Sequence, residues 1–378
     1  MNFEAAYLAA LAVLIVILGG VVPTAPALNF RDSELAHLRA IVLAVGGTLP
    51  GVQLNYHDLV LANWRAAIVA RGGTVPGVQL NFRLSHLLHV QAFQLALGNS
   101  VAFSGNYHEA LLQLVGTLDL DAQTIITSIE TADGQSLETT VRYALTAFVV
   151  GCKSDSIWTG LSSGAFRFLA GPRTLAGILK AGLGADPTNI NFVSGDLARN
   201  TGLVGNGTSK YLNTNRAVNA DPQNAHHFCV YARRNRTGVN EQLVGARNPA
   251  GDDTGGKFAA FSTLESGLGV RIACVPNADV NLAGGNVSLN QSSLIGARRN
   301  SSTEWTARSG GTTTTHTQTS TTPVGVNMFV FCYNNGGSPS LYANSRISFY
   351  SIGGDIGAGG LALLESRIAT YLSSISGI

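Results

Sequence analysis

Residues 1–120 are patterned on two length scales. Ala5 to Val22 is eighteen residues without a charged or strongly polar side chain, long enough to qualify as a membrane span. The only charge ahead of it is Glu4, which makes it a poor signal peptide. On the longer scale an Asn–aromatic pair recurs as Asn2-Phe3, Asn29-Phe30, Asn55-Tyr56, Asn81-Phe82 and Asn106-Tyr107, at steps of 27, 26, 26 and 25 residues. Each of the first four pairs opens an apolar stretch of helical character that ends at Gly19-Gly20, Gly46-Gly47, Gly72-Gly73 or Gly98-Asn99. Pro23, Pro50 or Pro76 follows in the first three units and is missing from the fourth. Asparagine accepts hydrogen bonds from the free N–H groups of a first helical turn. Glycine ends a helix in the left-handed region, and proline keeps it from resuming. Each unit is therefore expected to be one helix plus one extended arm, too small to bury its own apolar face. Stacking along an axis or against copies in neighbouring chains solves that problem, and Ala5–Val22 is then the first member of the array, hidden by sister subunits. Membrane contact of residues 5–22 is the competing expectation. Arg31, Glu34, Arg39, Arg65 and Arg83 on the equivalent scaffold of later units argue against it.

The pattern changes twice more. Asp121 to Cys152 predicts two helices split by Ala132-Asp133-Gly134-Gln135, with Ile125, Ile126 and Ile129, then Leu137, Val141, Leu145 and Phe148, at helical spacing. The stretch to 188 stays helix-prone and is assigned as a connector. Beyond it, β-branched and aromatic runs alternate with Asn, Gly and Ser turns: Phe228–Ala232, Phe258–Phe261, Gly269–Val275, Ser293–Ala297, Asn327–Tyr333 and Arg346–Ile352. Asparagine occurs 20 times in 189–378 against 7 times in 1–188, which places the boundary. Short strands at this spacing predict an all-β sandwich. Gly310-Gly311 and the threonines that follow suggest a hairpin, and Leu361–Leu372 an amphipathic closing helix. The expected architecture is α+β and multidomain: a repeat array over 1–120 for multimerisation or virion docking, a helical connector over 121–188, and an antiparallel sandwich with its closing helix over 189–378.

Four peptides carry a resemblance: Ala132-Asp133-Gly134-Gln135, Phe192-Val193-Ser194-Gly195-Asp196, the stretch from Thr201 to Leu212, and Ile347-Ser348-Phe349-Tyr350-Ser351-Ile352-Gly353. Together with the closing Leu-Ala-Leu-Leu-x-x-Arg helix, they resemble a family of tailed-phage virion proteins, often from phages of cyanobacteria. The resemblance covers residues 130–378 and leaves the repeats outside it. It implies a jelly-roll, concanavalin A/laminin G-like module at the C-terminus and a place in the virion, assembled in the host cytoplasm. It also implies a fibre or appendage that meets the host surface, with a homotrimer as the expected symmetry.

Composition narrows the chemistry. Charged residues make up 12% of the chain and the net charge is +2, with no run of three Lys or Arg, so duplex DNA binding is nearly excluded. Cys152, Cys229, Cys274 and Cys332 form no C-x-x-C; they read as buried hydrophobes in a reducing compartment. Gly160-Leu161-Ser162-Ser163-Gly164 matches a hydrolase nucleophile elbow, but polar residues precede it where a buried strand is needed. The phosphate-loop look of Gly251–Lys257 is spoiled by Phe258 and by Asp252 and Asp253. His86 and His89 share a helix face without a third ligand. No carboxylate pair among Asp252, Asp253, Glu265, Asp279 and Glu304 is singled out for glycosidase work. Sugar binding without cleavage asks for an aromatic face and polar groups for hydroxyls, and Trp305, Tyr342, Asn206, Asn219 and Asp221 are the candidates. The expectation is a non-enzymatic phage tail fibre or appendage without cofactor or metal. Its C-terminal module would bind host surface glycan or a neighbouring virion protein. A head-decoration protein is the alternative, and a polysaccharide depolymerase a more remote one.

Overall fold

The computed structural model describes residues 3–23, 29–51, 55–77, 82–97, 119–233, 241–247, 258–263, 270–272, 280–281, 292–320 and 322–378. Two compact units emerge, one of residues 1–124 with 138–154 and one of 125–137 with 155–378.

In the first unit the repeats become α1 (Phe3–Ile17), α2 (Phe30–Ala44), α3 (Tyr56–Ala70) and α4 (Phe82–Ala96), each fifteen residues long. Asn29 and Asn55 cap α2 and α3, their side-chain oxygens accepting from the N–H groups of Asp32 (3.0 Å) and Asp58 (2.9 Å). Gly19, Gly46 and Gly72 end α1, α2 and α3 at φ of 77°, 77° and 72°, a region costly for any residue with a Cβ. The glycine after each is set by packing. A Cβ on Gly20 would lie 2.7 Å from that of Ala44, and one on Gly73 2.6 Å from that of Ala96. Each helix thus ends beside the end of the next, so successive helices run parallel. Their inner faces share one core, made of Tyr7, Leu11 and Leu14, Leu38 and Ile41, Trp64 and Ile68, and Val90 and Phe93. Helices α5 (Leu120–Asp133) and α6 (Thr139–Ser154) follow. In the first unit α6 packs against α1, and Lys153 bonds Asp119 at 2.8 Å.

This core corrects one expectation. Tyr7, Leu11, Leu14 and Ile15 of the apolar opening helix are fully buried by the chain's own helices, so burying them needs no sister subunit. Among the described residues no helix is long and apolar enough to cross a membrane.

The second unit holds α7 (Trp158–Ser162), β1 (Ala165–Phe168), α8 (Leu175–Lys180), β2 (Gly182–Leu183), β3 (Thr188–Ile190), β4 (Leu197–Ala198), β5 (Gly202–Val204), β6 (Tyr211–Ala217), β7 (His226–Arg233) and β8 (Glu241–Arg247). After them come β9 (Phe258–Thr263), β10 (Val270–Ile272), β11 (Val280–Asn281), β12 (Ser292–Arg299), β13 (Glu304–Ser309), β14 (Thr312–Thr317), β15 (Asn327–Val330), β16 (Tyr333–Asn335), β17 (Ser338–Ser340), β18 (Arg346–Gly354) and α9 (Gly360–Ser374). Among the described residues the strands form two sheets, ordered β14-β13-β12-β7-β18-β1-β2 and β11-β10-β9-β8-β15-β6-β3. Neighbours on these paths are antiparallel; β16 joins β8 in parallel. One core takes Phe228, Val230, Ile295 and Tyr350 from the first sheet and Leu212, Val244, Met328 and Val330 from the second.

The boundary expected at residue 188 moves. The stretch 121–188 is not a helical connector throughout, because β1 lies inside the first sheet, paired with β18 from Ala165↔Ile352 to Phe168↔Phe349. Arg167 anchors it. Buried to 1% exposure, it donates to the carbonyls of Phe166 (2.6 Å), Leu179 (2.8 Å), Leu183 and Gly184 (2.9 Å) and to Asp186 (3.0 Å). The run Asn327–Tyr333 is likewise not one strand; it breaks at Phe331, whose φ is 72°. Helix α9 closes the unit: Tyr371 donates to Ala170 O at 2.9 Å, Arg367 holds Asp155, and Glu365 accepts from Leu294 N and Arg308.

Candidate functional site

The repeat residues act at the joints between units. Two of the aromatics that open a repeat helix are platforms for the second residue of the preceding helix: Arg31 sits 5.2 Å above the Tyr56 ring, and His57 stacks on Phe82 at 4.0 Å. Phe30, Tyr56 and Phe82 pack partly buried against the shared core, and Pro50 and Pro76 are half-buried in the arms. Phe3 opens α1; Asn2, Asn81, Asn106 and Tyr107 lie outside the described residues. The outer faces repeat too. Leu43, Val69 and Leu95 occupy the fourteenth position of α2, α3 and α4 and are 60%, 64% and 57% exposed. On parallel helices that position forms an apolar row.

The inner faces carry a polar layer. The fifth residues of the four helices, Tyr7, Glu34, Val60 and His86, are all buried. The Tyr56 hydroxyl donates to Glu34, and that of Tyr7 also bonds its carboxyl. Tyr7 lies 3.4 Å from His86 Nε2, which accepts from Trp64 Nε1 at 3.0 Å. Burial pushes Glu34 up to about 7, the Tyr7 bond opposing it, and burial pushes His86 down to about 3, with His89 and His57 adding to the drop. His89 contacts Ser85 O (2.7 Å) through Nδ1 and Arg65 Nε (3.2 Å) through Nε2. Both histidines are therefore structural, and among the described residues no His, Cys, Asp or Glu cluster could hold a metal ion.

In the β unit the five sugar-binding candidates separate. The Asn206 side chain builds a turn, its oxygen accepting from the N–H groups of Thr208 (3.0 Å), Ser209 (2.9 Å) and Lys210 (3.1 Å). Bonds from Gly205 N to Ser345 O and from Gly207 N to Ala343 O set that turn beside Tyr342. Tyr342 lies 6.2 Å from Tyr211, edge to face, and Tyr211 lies 4.8 Å from Phe329. Leu212, Met328 and Val330 face the core, so their neighbours Tyr211 and Phe329 point to the outer side of the sheet. Asn206 and Tyr342 are thus together on one side. Tyr211, half-buried and also touching the core, joins them, whereas Phe329 beside it is 5% exposed and presents no open face. Neither is among the sequence candidates, although alternation around Leu212 is a signal for both. Asn219 is exposed beyond the far end of β6, a strand's length or about 20 Å away. Asp221 spends its carboxylate on Arg216 at 2.6 and 3.0 Å. Trp305 is 1% exposed and stacked on His316 at 4.5 Å; with its ring in the core it cannot present a face to a sugar.

The hydrolase reading has no geometry behind it. Ser162 and Ser163 stand at the end of helix α7, where their hydroxyls bond Thr159 O and Gly160 O, and no strand leads into them. His227 is buried between Gly354 O (2.6 Å) and the Ser351 hydroxyl (2.8 Å), and burial lowers its pKa. His226 bonds Pro222 O at 2.9 Å. Cys152, Cys229 and Cys332 are free and buried. Cys274 and the stretch 251–257 lie outside the described residues, as do Asp252, Asp253, Glu265 and Asp279.

No family profile and no curated protein matches the chain. Among solved structures it is similar to a mutant of Trypanosoma rangeli sialidase displaying trans-sialidase activity, at 10% identity and a TM-score of 0.39, over 60% of this chain and 39% of that one. Trypanosoma rangeli sialidase in complex with the inhibitor DANA gives 12% identity and 0.37, over 63% and 40%. Domain 4 of AbnA, a GH43 extracellular arabinanase from Geobacillus stearothermophilus in complex with arabinotriose, gives 10% identity and 0.32, over 53% and 87%. The chain spans about two fifths of the length of the sialidases, and scores this low carry no argument about its fold or activity.

Proposed function

We propose that this chain is a structural protein of a tailed-phage virion, a tail fibre or appendage built on a homotrimer. Its helical unit makes the assembly contacts, and its β unit, read as a concanavalin A-like jelly roll, meets host surface glycan or a neighbouring virion protein. The observation that carries this is the row of Leu43, Val69 and Leu95, one exposed apolar side chain at the same place in three successive repeats. A surface repeated so regularly suits contacts between subunits better than it suits turnover of a substrate. The four peptides that resemble phage virion proteins support the location. On the β unit the outer side that carries Tyr211, Tyr342 and Asn206 is the binding face, where tyrosine rings and polar turn groups lie together as sugars require.

A gold-labelled antibody against residues 165–378, applied to intact particles, tests the reading. Labelling of tail appendages is the expected result. Label on the head surface would favour the decoration alternative, and purified particles that contain none of the chain would overturn both.

A further inference from the structure

The free edges of the two sheets differ. Among the described strands five of the six sheet ends are short: β2, β4 and β11 have two residues each, and β3 and β17 have three. Short edges are one of the ways proteins avoid strand-to-strand association. The sixth, β14, is six residues long, Thr312–Thr317, with no charged residue, no proline and no bulge in its pairing with β13. Charge, proline and bulges are the other usual protections. Gly310 and Gly311, at φ of 55° and 79°, close a two-residue hairpin loop between Ser309 and Thr312.

The register decides which backbone groups are free. Gln318 N bonds Thr303 O, so the hydrogen-bonded pairs continue inward as His316↔Trp305, Thr314↔Ala307 and Thr312↔Ser309. Thr313, Thr315 and Thr317 therefore turn N–H and C=O away from β13, and all three are exposed. Among the described residues no backbone bond reaches them from the far side.

We propose that β14 pairs antiparallel with β14 of a second copy of this chain, across a twofold axis at Thr315. A strand from another copy must itself have a long free edge, and β14 is the one such edge among the described strands. The pairing is self-complementary. Thr315 meets Thr315 and Thr313 meets Thr317, β-branched residues that pair well across strands, with no like charges opposed. About six backbone hydrogen bonds close the contact. This contact rests on the assembly reading above only in requiring copies to associate; it joins assemblies in pairs, through a surface separate from the helical row.

Light scattering on the full chain, with two variants, tests it. Thr315→Pro removes an outward N–H without touching the hairpin's own ladder. Thr315→Lys keeps every backbone group and sets like charges opposite each other. The expected result is that either change halves the particle mass, with circular dichroism unchanged and with salt restoring part of the association for the lysine variant. A mass that neither change alters overturns the pairing and leaves the appendage reading standing. A wild-type chain that runs as a monomer overturns both.

Discussion

At the scale of single residues, Glu34 is the most informative. Its carboxyl is buried among the hydroxyls of Tyr7 and Tyr56, with Arg31 over the Tyr56 ring and His86 beyond Tyr7. Burial raises its pKa from 4.5 to about 7. Between these values the unfolded chain is ionised at Glu34 while the folded chain keeps the proton, so its contribution to stability is full below 4.5 and is lost as pH rises through about 7. The loss is of order 3 kcal/mol. His86 works the other way. Its pKa falls from 6.5 to about 3, so stability is lost as pH drops below 6.5. Denaturation of the full chain beside Glu34→Gln separates the two. The stability of the wild type relative to the variant should fall by about 3 kcal/mol from pH 4.5 to above 7. A difference flat in pH would mean the carboxyl is not held protonated. Gly73 gives a second test at this scale. Gly73→Ala pushes a methyl into Ala96 and should cost about 1–3 kcal/mol, whereas Gly77→Ala meets nothing within 4 Å and should stay within about 0.5 kcal/mol.

Among the elements, β1 and its arginine show how a short strand is held inside a sheet. Replacing Arg167 with Met removes one donor from each of the carbonyls of Phe166, Leu179, Leu183 and Gly184 and the partner of Asp186, and should cost about 3–5 kcal/mol, read as a large drop in the thermal midpoint. A change of less than about 1 kcal/mol would mean that water satisfies these groups instead. The same strand marks what sequence could and could not convey. The repeat helices were legible because cap, glycine and period all act within one unit. Strands β7, β9, β12 and β18 are legible because each carries a short β-branched, aromatic or aliphatic run bounded by polar and turn residues, and the β13–β14 hairpin because two glycines mark its turn. Strand β1 was not, since Ala165-Phe166-Arg167-Phe168 adjoins helices and its arginine reads as a surface residue until the carbonyls around it are placed. The break at Phe331 is hidden in the same way, because its backbone partners at positive φ, Leu243 O and Ala343 N, are distant in sequence. The candidate face was half legible. Tyr342 and Asn206 stand on it, but Trp305 is buried, and pattern alone cannot tell an inward aromatic from an outward one.

For the whole molecule, the parallel array explains why an apolar opening helix needs no lipid. Four helices of one chain enclose Leu11, Leu14 and Ile15 and meet at a hydrogen-bonded layer, so the apolar inner face is buried within the chain. What the array leaves uncovered is its outer row, and the assembly reading rests there. The most direct measurement is the mass of the full chain in solution by light scattering, alone and with Leu43, Val69 and Leu95 all changed to Asp. The account predicts a multiple of three chains for the wild type and about a three-fold lower mass for the variant, with helicity kept. A wild-type mass of one chain, or a variant mass equal to that of the wild type, would contradict it.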